Sequence, residues 1–193
     1  MSFGDGINWD NEARRAAKET KQEHAGGGVR ASALDLVTQL RAHGASGRLL
    51  DCGCNIARYY PPLREAGFAY TGVDQSPEAL RIAKERYPKA AFVHSFLWDM
   101  SFAETFDVAI SMAVLQHNQM DEKHRIMQRI AAAVRARGHF AMQESTVLEA
   151  TATQLRQSGW IDLVESHGFK LLNAWHPNPE YSVCDAYLFR RTP

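Results

Sequence analysis

Apolar and polar positions follow two rhythms along this chain. Short apolar runs recur, each closed by a turn and followed by a segment with helical spacing. Leu49 and Leu50 carry the first run, which ends at Asp51, and 68–74 is the second, also ending in an aspartate. Residues 91–95 and 106–112 are the third and fourth. The fourth is continuously apolar apart from Asp107 and Ser111, as a central parallel strand requires. A fifth strand is expected over 138–144 and two more over 169–175 and 181–191. Only a few residues, with Pro177 and Pro179 among them, separate the last two, so they pair antiparallel.

Helical spacing fills the intervals. Ala33, Leu36, Val37 and Leu40 share one face of a helix over 30–43, which Gly44 stops. A helix opening near Ala57 or Pro61 ends at Gly67, and Ser76-Pro77-Glu78 starts another that runs to about Tyr87. Further helices are expected over 121–135 and 151–167, the latter broken near Gly159. The pattern is five strand–helix units and a terminal hairpin. Right-handed crossovers turn that into an α/β sandwich with its site at the carboxyl ends of the strands.

The first 28 residues differ. Trp9 precedes a charged, helix-prone run over 10–25, and Gly26-Gly27-Gly28 ends it and permits a hinge. The segment reads either as a loosely attached arm or as a lid whose Trp9 closes over a ligand, with the main domain over 29–193.

Composition narrows the class. Hydrophobic residues make up 45% and charged residues 23% of 193, ordinary for one globular domain. Lys plus Arg and Asp plus Glu are both 22, so bulk electrostatics favour no nucleic-acid partner. No apolar run reaches the length of a membrane helix, and the amino terminus lacks a signal-peptide pattern. Three cysteines, Cys52, Cys54 and Cys184, fit a reducing, cytoplasmic setting. Cys52 and Cys54 have no further partners at zinc-like spacing, so no metal is expected.

The chemistry centres on residues 48–60: strand, glycine turn, helix start. Gly53 is followed by Cys54, Asn55, Ile56 and Ala57, with no second or third glycine to bare a backbone for a diphosphate. That argues against a nicotinamide or flavin dinucleotide. Asp74 follows Asp51 by 74 − 51 = 23 positions, the length of a strand–helix–strand unit that places an acid at ribose hydroxyls.

Four stretches in order carry a resemblance. Leu49-Leu-Asp-Cys-Gly-Cys-Asn55, Tyr70-Thr-Gly-Val-Asp-Gln-Ser76, Thr105-Phe-Asp-Val-Ala-Ile-Ser-Met-Ala-Val-Leu-Gln-His117 and Arg135-Ala-Arg-Gly-His-Phe140 are similar to the class I S-adenosylmethionine-dependent methyltransferases, of the type 11 small-molecule branch. The resemblance covers about residues 29–191. It implies a three-layer Rossmann-like sandwich whose mostly parallel seven-stranded sheet has the order 3-2-1-4-5-7-6 and ends in an antiparallel hairpin. It implies S-adenosyl-L-methionine as cofactor and a small-molecule acceptor. It places Asp51, Gly53, Cys54 and Asn55 at the methionine end, Asp74 on the ribose, Gln75 and Ser76 beside the adenosine, Leu97 and Trp98 at the adenine, and Met112 beside the amino-acid moiety. Asn55 replaces the family's second glycine, and it is the non-glycine residue best suited to a left-handed backbone. Phe96 stands where the family has an adenine-binding acid, with Asp99 three positions on.

Methyl transfer is displacement at a sulfonium methyl, so the protein mainly aligns reactants and excludes water. If a base is needed, His117 and Glu144 are the candidates beyond strands four and five. Trp9, Tyr59 and Trp175 are candidates for the acceptor pocket or its lid. His94 and His139 read as structural histidines, and Asn178–Tyr181 as a turn. The alternatives left open are a binding protein that keeps the fold without catalysis, and an RNA or protein methyltransferase.

Overall fold

In the computed structural model the described residues are 7–22, 28–146, 151, 155–177 and 184–193. Seven strands form one sheet in the order β3-β2-β1-β4-β5-β7-β6. They are β1 (Arg48–Cys52), β2 (Ala69–Asp74), β3 (Ala91–His94), β4 (Phe106–Met112), β5 (Val134–Ser145), β6 (Phe169–Trp175) and β7 (Cys184–Arg191). The first five pair in parallel, and β7 runs antiparallel between β5 and β6. The order and the terminal hairpin are those the sequence led us to expect.

Helices cover both faces: α1 (Trp9–Gln22), α2 (Gly28–Ala42), α3 (Tyr60–Glu65), α4 (Pro77–Arg86), α5 (Met120–Ala133) and α6 (Gln157–Glu165). Successive strand residues face opposite sides, so Leu50 packs with α5 and α6 while Leu49 packs with α2, α3 and α4. Each fully buried Leu or Ile contributes about 1.5–3 kcal/mol of transfer free energy. That continuous apolar centre fixes the register of the strand ends, and with it the site.

Three boundaries depart from expectation. The fifth helix stops at Ala133 rather than 135, because β-branched Val134 pairs with Phe106 and buries in the core. Val108 then pairs with His139, so β5 bulges between, through Arg137 at φ +64°. Gly159 does not break a helix. It lies inside α6, where a Cβ would sit 3.3 Å from that of Leu155. Of the glycine triplet, Gly28 opens α2 and the other two, like the 178–181 turn, lie outside the described residues. His94 is not a core histidine: it ends an exposed strand, its Nε2 3.0 Å from the carbonyl oxygen of Gln75. No helix among the described residues is long and apolar enough to cross a membrane.

Candidate functional site

A cavity of about 360 Å³ opens at the carboxyl ends of β1, β2 and β4. Its floor is the turn after β1. Gly53 and Cys54 both donate their backbone N–H to the carbonyl of Val73, at 2.8 and 3.0 Å. The Asn55 N–H donates to Asp74 Oδ2 at 2.8 Å. Thus all three N–H groups of the turn are committed to β2. Gly53 sits at φ +78°, and an added Cβ would lie 2.6 Å from Val114 Cγ2. Asn55 adopts φ +48° and Ala57 φ +57°, so the turn forms without the second glycine.

Acceptor atoms lie beside this floor. Asp51 is buried, and its Oδ2 accepts from Tyr70 Oη at 2.7 Å. Burial pushes its carboxyl up to about 7, with Asp74 adding to the rise and the Tyr70 bond opposing it. Asn55 Oδ1 is buried and has no hydrogen-bond partner among the described residues. Asp74 closes the β2 side, its Oδ1 accepting from the Ser76 N–H at 2.8 Å. Burial raises its carboxyl as well, against the backbone bonds that stabilise the anion.

Gln75, Leu97 and Trp98 line the cavity beyond Asp74. Leu97–Asp99 is a single 3-10 turn, and Trp98 stacks on Phe96 with ring centroids 5.0 Å apart. The aromatic at position 96 therefore supports a wall of the cavity through its neighbour. Ser76, expected beside the adenosine, does not line the cavity. Its Oγ accepts from the Ala79 N–H at 3.0 Å as the cap of α4 and donates to Asp10 Oδ1 at 2.5 Å.

The β4 exit forms the opposite wall through Met112, Ala113, Val114, His117 and Asn118. Glu144 departs from the sequence expectation. It is fully buried, neither a solvated strand end nor part of the cavity lining. Its Oε1 accepts from the N–H groups of Val114 (3.2 Å) and Leu115 (3.0 Å), and its Oε2 from that of Gln116 (3.0 Å). Burial lifts its carboxyl to about 7 against the pull of these bonds and of Lys123. Lys123 is buried beneath the same turn, donates to the carbonyl of Asn118, and lies over the ring of Trp160. The side chain of Gln116 accepts from the Ser145 N–H at 2.7 Å. Glu144 thus ties the turn that carries His117 to the end of β5.

A roof comes from α1. Trp9 meets His117 edge to face at 5.1 Å, and Glu12, Arg15 and Ala16 line the cavity. Ala13 and Ala16 bury against Ile56, Ala79 and Ile82, while Arg14 pairs with Glu78 at 3.2 Å. Tyr59 lines the cavity as expected, but Trp175 does not. It ends β6 at the far edge of the sheet, and its indole Nε1 is buried without a partner among the described residues. Arg58, Ala113, Val114, Asn118, Ile126 and the α1 residues other than Trp9 were missed by sequence reasoning. Arg58 carried a signal, a cation directly after the glycine turn. Ala113 at φ +58° carried none, being a non-glycine residue forced left-handed by its surroundings.

Residues 50–142 match the family model described as the methyltransferase domain. A TehB-like S-adenosylmethionine-dependent methyltransferase from Corynebacterium glutamicum superimposes with a TM-score of 0.75 at 21% identity, covering 94% of this chain and 99% of that one. A 1,6-didemethyltoxoflavin-N1-methyltransferase from Burkholderia thailandensis, its structure holding that compound and S-adenosylhomocysteine, gives 0.72 at 20% identity over 97% and 92%. Among curated proteins, an uncharacterized methyltransferase from Alkaliphilus oremlandii is 27% identical over 81 residues. That match covers 42% of this chain and 38% of the relative, well under two thirds of its length. Residues 50–142 thus carry the match to a methyltransferase domain, and the strand order is that of the Rossmann-like methyltransferase fold of these solved structures.

Proposed function

We propose that the protein transfers the methyl group of S-adenosylmethionine to a small-molecule acceptor. The observation that carries this reading is the polarity of the cavity floor. A phosphate cradle needs free backbone N–H groups, and this turn has bonded all three of its own to β2. What it offers are acceptors: Asp51, Asn55 Oδ1 and the remaining lone pairs of Asp74. Those atoms suit a ligand rich in donors and positive charge, with an ammonium, two ribose hydroxyls and a sulfonium.

S-adenosylmethionine fits that donor set. Asp51 and Asn55 would take its ammonium, Asp74 its ribose hydroxyls, and Leu97 with Trp98 its base. When bound, the cofactor supplies an electrophilic methyl group. The chain's own residues hold the reactants, and α1 covers them, with Trp9 and His117 closing the opening and keeping water out. His117 is the candidate base, reaching the cavity from a turn fixed by Glu144. In this reading the segment before α2 is a lid rather than a loose arm.

Isothermal titration with S-adenosylhomocysteine tests the reading. The wild-type protein should bind it, and Asp74→Ala should weaken binding by tenfold or more, since two charge-assisted hydrogen bonds of about 1.5–3 kcal/mol each are lost. Absence of binding, or binding indifferent to Asp74→Ala, ends it. Turnover on a panel of neutral, cationic and anionic acceptors then separates a catalyst from a binding protein.

A further inference from the structure

One charged group in the cavity has no counterpart in this scheme. Arg58 lines the cavity and is partly buried, and it forms no hydrogen bond or ion pair with any described residue. The other charged lining groups are engaged: Glu12 pairs with Arg15, Asp51 holds Tyr70, and Asp74 holds two backbone N–H groups. A guanidinium withdrawn from water without a partner costs free energy that a bound anion would recover.

Its place along the ledge of strand ends says which ligand meets it. The expected nucleoside contacts, Asp74, Gln75, Leu97 and Trp98, follow β2 and β3. Arg58 adjoins Tyr59, whose ring packs against the apolar cluster that takes in Ile110 of β4, Ala141 of β5 and Leu188 of β7, with Met112 at the end of β4 beside it. The Arg58–Tyr59 pair therefore faces the half of the ledge above β4, β5 and β7, the half that also holds His117. Aromatic rings are at hand there, with Tyr59 and Trp9 both in the lining.

We infer that Arg58 is a specificity residue, and that the methyl acceptor is an aromatic or conjugated organic anion whose carboxylate it binds. The planar fork of a guanidinium matches a carboxylate in bidentate fashion. The inference rests on the methyltransferase reading above. It separates this chain's acceptor from a neutral heterocycle or an amine, which would leave Arg58 unpaired.

Calorimetry on the full chain saturated with S-adenosylhomocysteine tests it, with benzoate and its neutral isostere benzamide as probes. Benzoate should bind at least tenfold more tightly than benzamide, and Arg58→Ala should erase that difference while changing S-adenosylhomocysteine affinity less than threefold. Arg58→Gln, close in length, carries the same expectation should the alanine variant fold poorly. Equal binding of the two probes to wild type overturns the inference, as does a preference for benzoate that survives in Arg58→Ala. A tenfold loss of S-adenosylhomocysteine affinity in Arg58→Ala, with 5′-methylthioadenosine binding unchanged, overturns it too. In that case Arg58 serves the carboxylate of the cofactor. Inorganic phosphate outcompeting benzoate at equal concentration assigns the site to phosphorylated acceptors and also overturns it. A wild-type protein that ignores S-adenosylhomocysteine strikes the methyltransferase reading itself, a result distinct from all of these.

Discussion

The two walls of the cavity are held by opposite means. On the β1–β2 side, a turn and a strand end satisfy one another locally: Gly53 and Cys54 bond Val73, and Asn55 bonds Asp74. Asp74 itself borders the cavity, so solvent or ligand can reach it. On the β4–β5 side, the turn after β4 spends its N–H groups on one fully buried carboxylate reaching in from the neighbouring strand. The first wall leaves a carboxylate at the cavity. The second is built to stay still while it presents His117. Two buried carboxylates with similar backbone partners thus differ in one respect: Asp74 reaches the cavity and Glu144 does not.

The largest expected effect comes from removing each carboxylate in turn. Glu144→Ala should cost about 3–5 kcal/mol, since it strands buried N–H groups and leaves Lys123 without its counter-charge. Asp74→Ala should cost about 1–2 kcal/mol, because cavity water can replace its oxygens. Urea unfolding followed by circular dichroism measures both. Equal costs would show that access to the cavity does not separate the two walls. Glu144→Gln should fall between wild type and alanine. It should lower turnover more than cofactor affinity, as expected of a residue that positions the turn carrying His117.

Gly53→Ala probes the seam between the walls. The new Cβ would lie 2.6 Å from Val114 Cγ2 in a backbone at φ +78°. We expect a loss of about 2–3 kcal/mol from the combined strain and overpacking. Val114→Ala in the same chain should recover part of it, leaving the strain of the left-handed backbone. If the double variant gains nothing, the contact with Val114 is not what requires glycine.

The same contrast explains what could be read from the chain. Local chemistry was legible: Ser76-Pro77 announced the start of α4, Gly53 and Asn55 the left-handed turn, and the aspartates at 51 and 74 the ends of adjacent strands. The apolar runs gave the strands and their crossover hand, while the strand order came with the family resemblance. The role of Glu144 was hidden, because its partners lie about thirty positions away and only pairing of β4 with β5 brings them together. For the same reason Ser76 looked like a ligand contact and Trp175 like a pocket wall. Nothing near either residue reveals the latch to Asp10 or the strand β7 that separates β6 from β5.

Protonation offers a smaller effect: both walls hold a carboxyl raised to about 7, but only Asp51 borders the cavity, so only its proton should bear on ligand binding. The Asp51 carboxyl is raised to about 7 from an ordinary value near 3.8, so the unliganded fold holds a proton that the unfolded chain releases. Between those values the folded state binds more protons, and stability falls as pH rises through the window. An ammonium ligand requires the ionised form, so S-adenosylhomocysteine should bind about tenfold more tightly at pH 8 than at pH 6. Asp51→Asn should flatten that profile while weakening binding at pH 8. A slope that persists in Asp51→Asn assigns the proton to another group.

The smallest effect belongs to the roof. Trp9 touches His117 with its ring edge, but α1 is anchored elsewhere, by Ala13 and Ala16 in their apolar nook and by the contacts of Asp10 and Arg14 with α4. Trp9→Ala should therefore cost under about 1 kcal/mol in stability, the usual range for a side chain that is not part of the core. Its effect should fall on kinetics. A roof that closes over a bound cofactor slows escape, so the variant should release S-adenosylhomocysteine about three- to tenfold faster with little change in association. Stopped-flow displacement reads both rates. Faster association with unchanged release would mean that Trp9 guards the entrance of an open site. A stability loss of several kcal/mol would mean that α1 is held by its tryptophan, and the roof would then be part of the rigid wall it covers.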